Sequence, residues 1–188
     1  MRIENIGIIQ ARVGSTRLPN KMLMKIGRHQ LIEWVIKRAK KIKNLDLIVL
    51  ATSKFKQNDI LEKIAKKNKI EIFRGSENDV LQRYISAATK FNKKVIVRLP
   101  ADNPFIDSYL INKLIKEFNY KKYEYSNNII DFMNSKYVDG FGAEIFTLDL
   151  LKKIKNSSSQ DIYKEHVTLY IKDYPKKFRI KKNFAPKE

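Results

Sequence analysis

Ile6-Gly7-Ile8-Ile9 runs straight into Gln10-Ala11-Arg12-Val13-Gly14-Ser15-Thr16-Arg17-Leu18-Pro19-Asn20-Lys21, and this junction decides how the chain is read. A short, largely β-branched apolar run ended by a polar, glycine-containing loop is the pattern of a buried strand entering an α/β crossover. Gly14 and Ser15 offer backbone amides in that loop, and Arg12, Arg17 and Lys21 add three permanent cations. Donors of this kind at the carboxyl end of a strand suit a triphosphate.

The alternation continues downstream. Leu31, Trp34, Val35 and Arg38 recur at helical spacing, predicting a helix over roughly 29–42 with the arginine stem flanking the apolar stripe. Leu47–Ala51 reads as a second buried strand, followed by a helix with Ile60, Leu61, Ile64 and Ala65 on one face. Ile70–Phe73 is a third strand. Ser76-Glu77-Asn78-Asp79 fits a capping box for a helix burying Val80, Leu81, Tyr84 and Ile85. Val95–Leu99 is the fourth strand, and Asp107 caps a helix burying Leu110, Ile111, Leu114, Ile115 and Phe118. Beyond residue 120 the pattern loosens into Tyr- and Asn-rich sequence, then recovers a strand at Ala143–Phe146 and a helix over Asp161–Lys172. Strands alternating with helices predict a three-layer α/β/α domain with a mostly parallel sheet, whose ligands sit beyond the strand carboxyl ends.

Composition narrows the chemistry. The 188 residues are 43% hydrophobic, enough for one sizeable core and a single domain over 1–188. No stretch approaches the roughly 20 apolar residues of a membrane span, and the amino terminus lacks the apolar core of a signal peptide, so a soluble, cytoplasmic protein is expected. Without cysteine there are no disulfides, thiolate metal sites or cysteine nucleophiles. The charge of +19 invites a nucleic-acid reading, but only nine of 39 basic residues are Arg and the lysines spread over nearly every helix face. Such a spread reads as a solvated surface that steers anions, with no specific nucleic-acid partner. The motifs G-x-x-x-x-G-K-[ST], G-x-G-x-x-G, H-E-x-x-H and G-x-S-x-G are all absent, which removes support for P-loop, dinucleotide, zincin and serine-hydrolase chemistry. Asp102, in Pro100-Ala101-Asp102-Asn103-Pro104, follows strand four at the same sheet edge as the first loop, where a carboxylate is suited to hold Mg²⁺ beside phosphates.

With these residues assembled, the loop resembles the Q-A-R-x-G-S-T-R-L-P-x-K signature of cytidylyltransferases of the spore-coat polysaccharide biosynthesis F type, relatives of the 3-deoxy-manno-octulosonate and acylneuraminate cytidylyltransferases. The similarity continues through Ala51-Thr52-Ser53, Phe73 to Tyr84, Ala101-Asp102-Asn103-Pro104, Asp139-Gly140, Glu144-Ile145-Phe146 and Glu165-His166-Val167-Thr168, so nearly the whole chain is covered. The first block is the specific one, because it fixes ten positions in order; Asp139-Gly140 or Glu165-His166 would mean little alone.

The resemblance implies a GT-A-like, Rossmann-related fold that joins CTP to a sugar or sugar-acid acceptor, releases pyrophosphate, uses Mg²⁺ and forms a homodimer. It puts Gln10, Ala11 and Arg12 near the base and phosphates, takes amides from Gly14, Ser15 and Thr16, and sets Arg17 and Lys21 on the β and γ phosphates. Asp102 is the implied metal ligand. Thr52, Ser53, Arg74, Gly75 and Ser76 occupy the loops that enclose pyrimidine and ribose, although turn and capping chemistry explains Ser76 and Asp79 by itself. Asn103, Asp139, Gly140, Glu144 and His166 are the implied acceptor contacts.

Two departures stand out. Ala101 occupies the position where many relatives carry Gly before the metal-binding Asp, and relatives continue into a strand and helix carrying a further metal-binding Asp, whereas the sequence here stops at Ala185-Pro186-Lys187-Glu188. Three outcomes stay open: a shortened chain, a second carboxylate from Asp139 or Glu144, or a nucleotide-binding protein without turnover. Two competing functions also fit parts of the pattern. One is a GT-A glycosyltransferase using a nucleotide sugar, which would release no pyrophosphate; the other is a nucleic-acid-binding protein.

Overall fold

The computed structural model describes residues 4–14, 18–129 and 136–185. At its centre lies β1 (Asn5–Gln10), paired in parallel on one side with β4 (Leu47–Ser53) and on the other with β6 (Val95–Pro100). Beyond β4 comes β5 (Glu71–Gly75), also parallel; beyond β6 come β8 (Glu144–Thr147), antiparallel, then β7 (Tyr125–Asn127) and β9 (Ile180–Lys181). Among the described residues the order is β5-β4-β1-β6-β8-β7-β9, a mostly parallel sheet.

Both sheet faces are buried, which is why the parallel strands read as near-continuous apolar runs. Alternation along β1 sends Ile9 into a cluster with the helices α1 (Leu31–Ala39), α2 (Asp59–Lys67) and α4 (Ser108–Glu117). Ile6 and Ile8 enter the opposite cluster, under α3 (Val80–Lys90), α5 (Leu148–Ser157), α6 (Asp161–Glu165) and α7 (Leu169–Asp173). The three-layer α/β/α domain with a mostly parallel sheet, expected from the pattern, is the one observed.

Local chemistry moves several boundaries. The first helix starts at Leu31, not near 29, because His29–Gln30 (β3) pairs with Lys25–Ile26 (β2) in a small hairpin, and Gln30 then caps the helix in a reciprocal box with Glu33. Its buried stripe is Leu31, Ile32, Val35, Ile36 and Ala39. Trp34 instead turns back onto the hairpin, its indole N–H donating to the Ile26 carbonyl at 2.9 Å. Before α3 the N-cap is Asp79, which accepts from the Gln82 amide at 2.7 Å; Ser76 accepts from the Asp79 amide at 3.0 Å and so closes the preceding turn. Asp107 caps α4 as expected, accepting from the Leu110 amide at 2.8 Å.

The single helix expected over 161–172 is two short ones. The chain breaks at His166-Val167-Thr168, which lets Val167 enter the core and leaves His166 exposed at the end of α6. The sequence pattern also missed α5, although Thr147 caps it by accepting from the Leu150 amide at 3.2 Å and Leu148, Leu151 and Ile154 recur at helical spacing.

Candidate active site

The carboxyl ends of β1, β4, β5 and β6 lie along one sheet edge, so the loops that follow them share a rim. The loop after β1 is anchored to that rim by backbone and by one side chain. The Ala11 amide donates to the Ala51 carbonyl at 3.1 Å, and the Val13 amide to Asn58 Oδ1 at 2.9 Å. Asn58 is fully buried and donates in turn to Ser53 Oγ at 2.7 Å, tying the loop to the end of β4. A Cβ at Gly14 would sit 3.0 Å from Nε2 of Gln57, the movable end of a flexible side chain.

A cavity of about 460 Å³ opens at this rim, walled by Gln10, Arg12, Lys21, Tyr84, Arg98 and Asp102. Four sequence-predicted residues thus converge from two separate loops. Lys21 donates to Asp102 Oδ2 at 2.9 Å, with both side chains partly open to solvent. Burial acts to raise the Asp102 carboxyl, but the Lys21 ammonium more than offsets it and holds the group below its ordinary range. Arg12 spans two acids, Glu77 and Glu165, each at a long 3.5 Å. Ser76 joins Arg12 in an adjoining groove beside α6. Ser15, Thr16 and Arg17 lie outside the described residues.

A second cavity, about 390 Å³, is walled by Gln10, Arg98, Glu165, His166, Thr168 and Lys172. Asn103 and Gly140 meet on the other flank: a Cβ at Gly140, whose φ is +96°, would lie 3.5 Å from Asn103 Oδ1. Asp139 sits exposed in the same turn, its carboxylate accepting from the Gly140 amide at 2.9 Å. A further cavity beside Asp46, Leu47 and Glu71, at the opposite strand ends, carries none of these residues.

Several predicted contacts have other employment. Arg74 donates to the Ser53 and Phe55 carbonyls at 3.1 and 3.0 Å and pairs with Asp59 at 2.7 Å and Glu62 at 3.1 Å, clamping the β4–α2 connection. Ser53 is fully buried and committed to Asn58. Thr52 is also fully buried, with no hydrogen-bond partner for its hydroxyl among the described residues. Gly75 serves close packing, because a Cβ would lie 3.0 Å from both Arg83 Cγ and the Phe73 ring. Glu144, read from sequence as an acceptor contact or second metal carboxylate, is 1% exposed; it pairs with Arg98 and accepts from the Tyr125 hydroxyl at 2.7 Å. Burial alone would raise its carboxyl, but Arg98 foremost, then Tyr125 and Lys172, hold it below the usual range.

Sequence reasoning missed Asn58, Tyr84, Arg83 and Arg98. Arg98 left a signal, since a charged residue inside Val95-Ile96-Val97-Arg98-Leu99 needs a buried partner. Arg83, 1% exposed, left a weaker one; it donates to the Ser76 carbonyl and, at 3.4 Å, to the Glu77 carbonyl, supporting the loop after β5 from beneath. Tyr84 is fully buried, and its hydroxyl has no hydrogen-bond partner among the described residues. Burial pushes its pKa up to about 12, against the opposing pull of the nearby Arg98 cation.

A model of the cytidylyltransferase family matches residues 6–187, nearly the whole chain. The chain belongs to the cytidylyltransferase family. Among relatives of this cytidylyltransferase, the spore coat polysaccharide biosynthesis protein SpsF of Bacillus subtilis is 35% identical over 184 residues, covering 95% of this chain and 74% of that one. A 3-deoxy-manno-octulosonate cytidylyltransferase of Fusobacterium nucleatum is 34% identical over 125 residues, 62% of this chain and 47% of that one. The solved structure of a cytidylyltransferase from Leptospira borgpetersenii superposes with a TM-score of 0.90 at 34% identity, covering 99% of this chain and 77% of the other.

Proposed function

We propose that the protein transfers a cytidylyl group from CTP to a sugar or sugar acid, supplying an activated sugar for surface polysaccharide or glycoconjugate synthesis and releasing pyrophosphate. The observation that carries this reading is the convergence of Gln10, Arg12, Lys21 and Asp102 on one cavity that shares Gln10 and Arg98 with a second cavity of similar size. Donor and acceptor need two adjoining compartments; a binding module needs only one.

In the reaction an acceptor oxygen attacks the α-phosphorus, a hydroxyl acceptor giving its proton to solvent, the bond from that phosphorus to the α,β-bridging oxygen breaks, and pyrophosphate leaves with the displaced electron pair. Lys21 and Arg12 bind the triphosphate oxygens and neutralise charge that grows on the leaving group. For Arg12 this means exchanging its two long carboxylate contacts for phosphate, and for Lys21 exchanging Asp102. Asp102 is then free for a cation. Its half-exposed carboxylate fits Mg²⁺, which is commonly held by one or two carboxylates and completes its shell with water and phosphate oxygens. Bound there, Mg²⁺ supplies further neutralisation of phosphate charge. No covalent enzyme intermediate is required, and positioning with electrostatics supplies the acceleration.

The test is thermal-shift titration with CTP, UTP, GTP and ATP in Mg²⁺, followed by pyrophosphate-release assays across sugar acids and sugar phosphates. CTP is expected to stabilise most. Equal stabilisation by all four nucleotides removes the cytidine assignment, and turnover without pyrophosphate points to a glycosyltransferase instead.

A further inference from the structure

Among the described residues, Gln10 and Arg98 are the two side chains that wall both cavities, and Arg98 alone of these carries charge. Its place in the middle of the sheet is costly: a guanidinium rising from a buried strand needs compensation. Glu144 provides it from the neighbouring antiparallel strand, in direct register with Arg98 and itself enclosed. The Glu144 carboxylate is fixed by the Tyr125 hydroxyl at 2.7 Å, and Asn127 donates to that hydroxyl at 3.0 Å. Glu144 therefore presents one rigid face to Arg98. A guanidinium has five N–H donors, and one is directed at Glu144. The side chain remains 31% exposed, so further donors face the shared wall of the two cavities.

Two further observations bear on what meets those donors. Tyr84 lines the nucleotide-side cavity, and its fully enclosed phenol lies close to Arg98, whose cation opposes the effect of burial on it. On the other side, the acceptor-side cavity gathers Arg98, His166 and Lys172 against one carboxylate, Glu165, which already faces Arg12. The two cations that reach this cavity, Arg98 and Lys172, can meet an anionic acceptor group there, whereas Glu144 lies enclosed behind Arg98 and does not line it.

We propose that Arg98 is the residue that reads the acceptor, by pairing with an anionic group on it, a carboxylate or a phosphate, and that Glu144 is its positioning residue. The inference rests on the cytidylyl-transfer reading above. Arg98 stands where donor and acceptor meet, so the anion it holds lies close to the attacking oxygen and orients it toward the α-phosphorus. Lys172 adds charge at longer range without a fork geometry.

The experiment uses the CTP-loaded protein with Mg²⁺, so that Arg12 and Lys21 are already occupied. Pyrophosphate release is measured with 3-deoxy-manno-octulosonate, glucose 1-phosphate and glucose, which separate carboxylate, phosphate and neutral arms. In parallel, the arginine side-chain NMR signals are titrated with acetate and with inorganic phosphate. One anion is expected to shift the Arg98 signal saturably. Loss of one charge-assisted hydrogen bond predicts that Arg98→Gln lowers acceptor kcat/KM about 10- to 100-fold, chiefly through acceptor KM, with Arg98→Lys recovering part of the loss. Glu144→Gln keeps the side-chain shape and is expected to raise acceptor KM while kcat and CTP affinity hold; a merely structural role would not split these parameters. Turnover of glucose as good as that of the charged acceptors, an Arg98 signal unmoved by both anions, or an Arg98→Gln protein with wild-type acceptor KM overturns the inference. Failure of the wild type to bind CTP overturns the function reading and this inference together, whereas intact CTP binding with any of the preceding results overturns this inference alone.

Discussion

Two ion pairs mark the two ends of the cleft, and they differ in the property that decides what an ion pair is for. Lys21–Asp102 spans the rim with side chains 33% and 53% exposed, whereas Arg98–Glu144 crosses the sheet with its carboxylate 1% exposed. Water already solvates the first pair, so its two members can part and each take a ligand at small cost. The second pair cannot part without leaving an uncompensated charge inside the protein. One end of the cleft is exchangeable, and the other is fixed.

The largest expected effect comes from breaking the fixed end. Glu144→Ala removes the carboxylate beside Arg98 and orphans the Tyr125 hydroxyl, so unfolding in urea is expected to show a loss of about 3–5 kcal/mol. A loss below about 1 kcal/mol would mean that solvent reaches Arg98 well enough to replace its partner. Breaking the exchangeable end acts on rate instead. Lys21→Ala and Asp102→Ala are each expected to reduce pyrophosphate release by about 100-fold or more, as for loss of a charge-stabilising donor, with the fold intact by circular dichroism. Wild-type turnover in either variant refutes its assignment.

The same contrast explains what was legible in the sequence. The parallel half of the sheet announced itself, because Ile6–Ile9, Leu47–Ala51 and Val95–Leu99 are largely buried and so read as apolar runs, the last interrupted only by Arg98. The rim loop was legible too, since backbone amides and permanent cations in one short segment have a local meaning. The strands that carry the fixed pair were harder. Tyr125–Asn127 is three residues long and entirely buried, yet Tyr, Ser and Asn give no hydrophobic alternation; the Tyr125 and Ser126 hydroxyls and the Asn127 carbonyl find partners in Glu144, Lys181 and Asn183, from distant sequence. Ser53 and Arg74 are assigned to the nucleotide by the resemblance alone; in the fold, each is engaged by groups around its own strand end, Ser53 by Asn58 and Arg74 by the Ser53 carbonyl. Asn58 was invisible for the converse reason: its partners Val13 and Ser53 are brought together only by the β1–β4 register.

Asn58 joins the exchangeable end to the scaffold, and its removal sharpens the comparison at intermediate size. Asn58→Ala leaves a buried amide on Val13 and a buried hydroxyl on Ser53 with lost partners, so a destabilisation of about 1–3 kcal/mol is expected in denaturant titrations. CTP affinity is expected to fall as well, because the loop carrying Arg12 loses its side-chain tether. A stability loss with unchanged CTP affinity would show that the Ala11–Ala51 backbone bond is enough to hold the loop.

Acid separates the two ends further. The Glu144 carboxyl is held below its ordinary range in the folded protein, so the unfolded chain binds the proton more readily. Its contribution is complete above the unfolded carboxyl range, about pH 4, and is lost as pH falls through the lower folded value. Stability profiles of wild type and Glu144→Gln are therefore expected to differ in slope below about pH 4 and run parallel above it. Identical slopes throughout would place the acid sensitivity elsewhere.

The smallest expected effect is at Lys21 and Asp102 in the absence of nucleotide. A double-mutant cycle of Lys21→Ala and Asp102→Ala, followed by thermal unfolding, is expected to give a coupling below about 1 kcal/mol that fades further in high salt. A 2.9 Å contact of such low worth would contribute little to folding and, under the proposed function, would yield readily to phosphate. Coupling well above that value would mean the pair is part of the scaffold, and Asp102 would then have to be pulled from Lys21 before it could hold a cation. The size of this one number thus decides whether the rim is open to exchange or locked like the Arg98–Glu144 end.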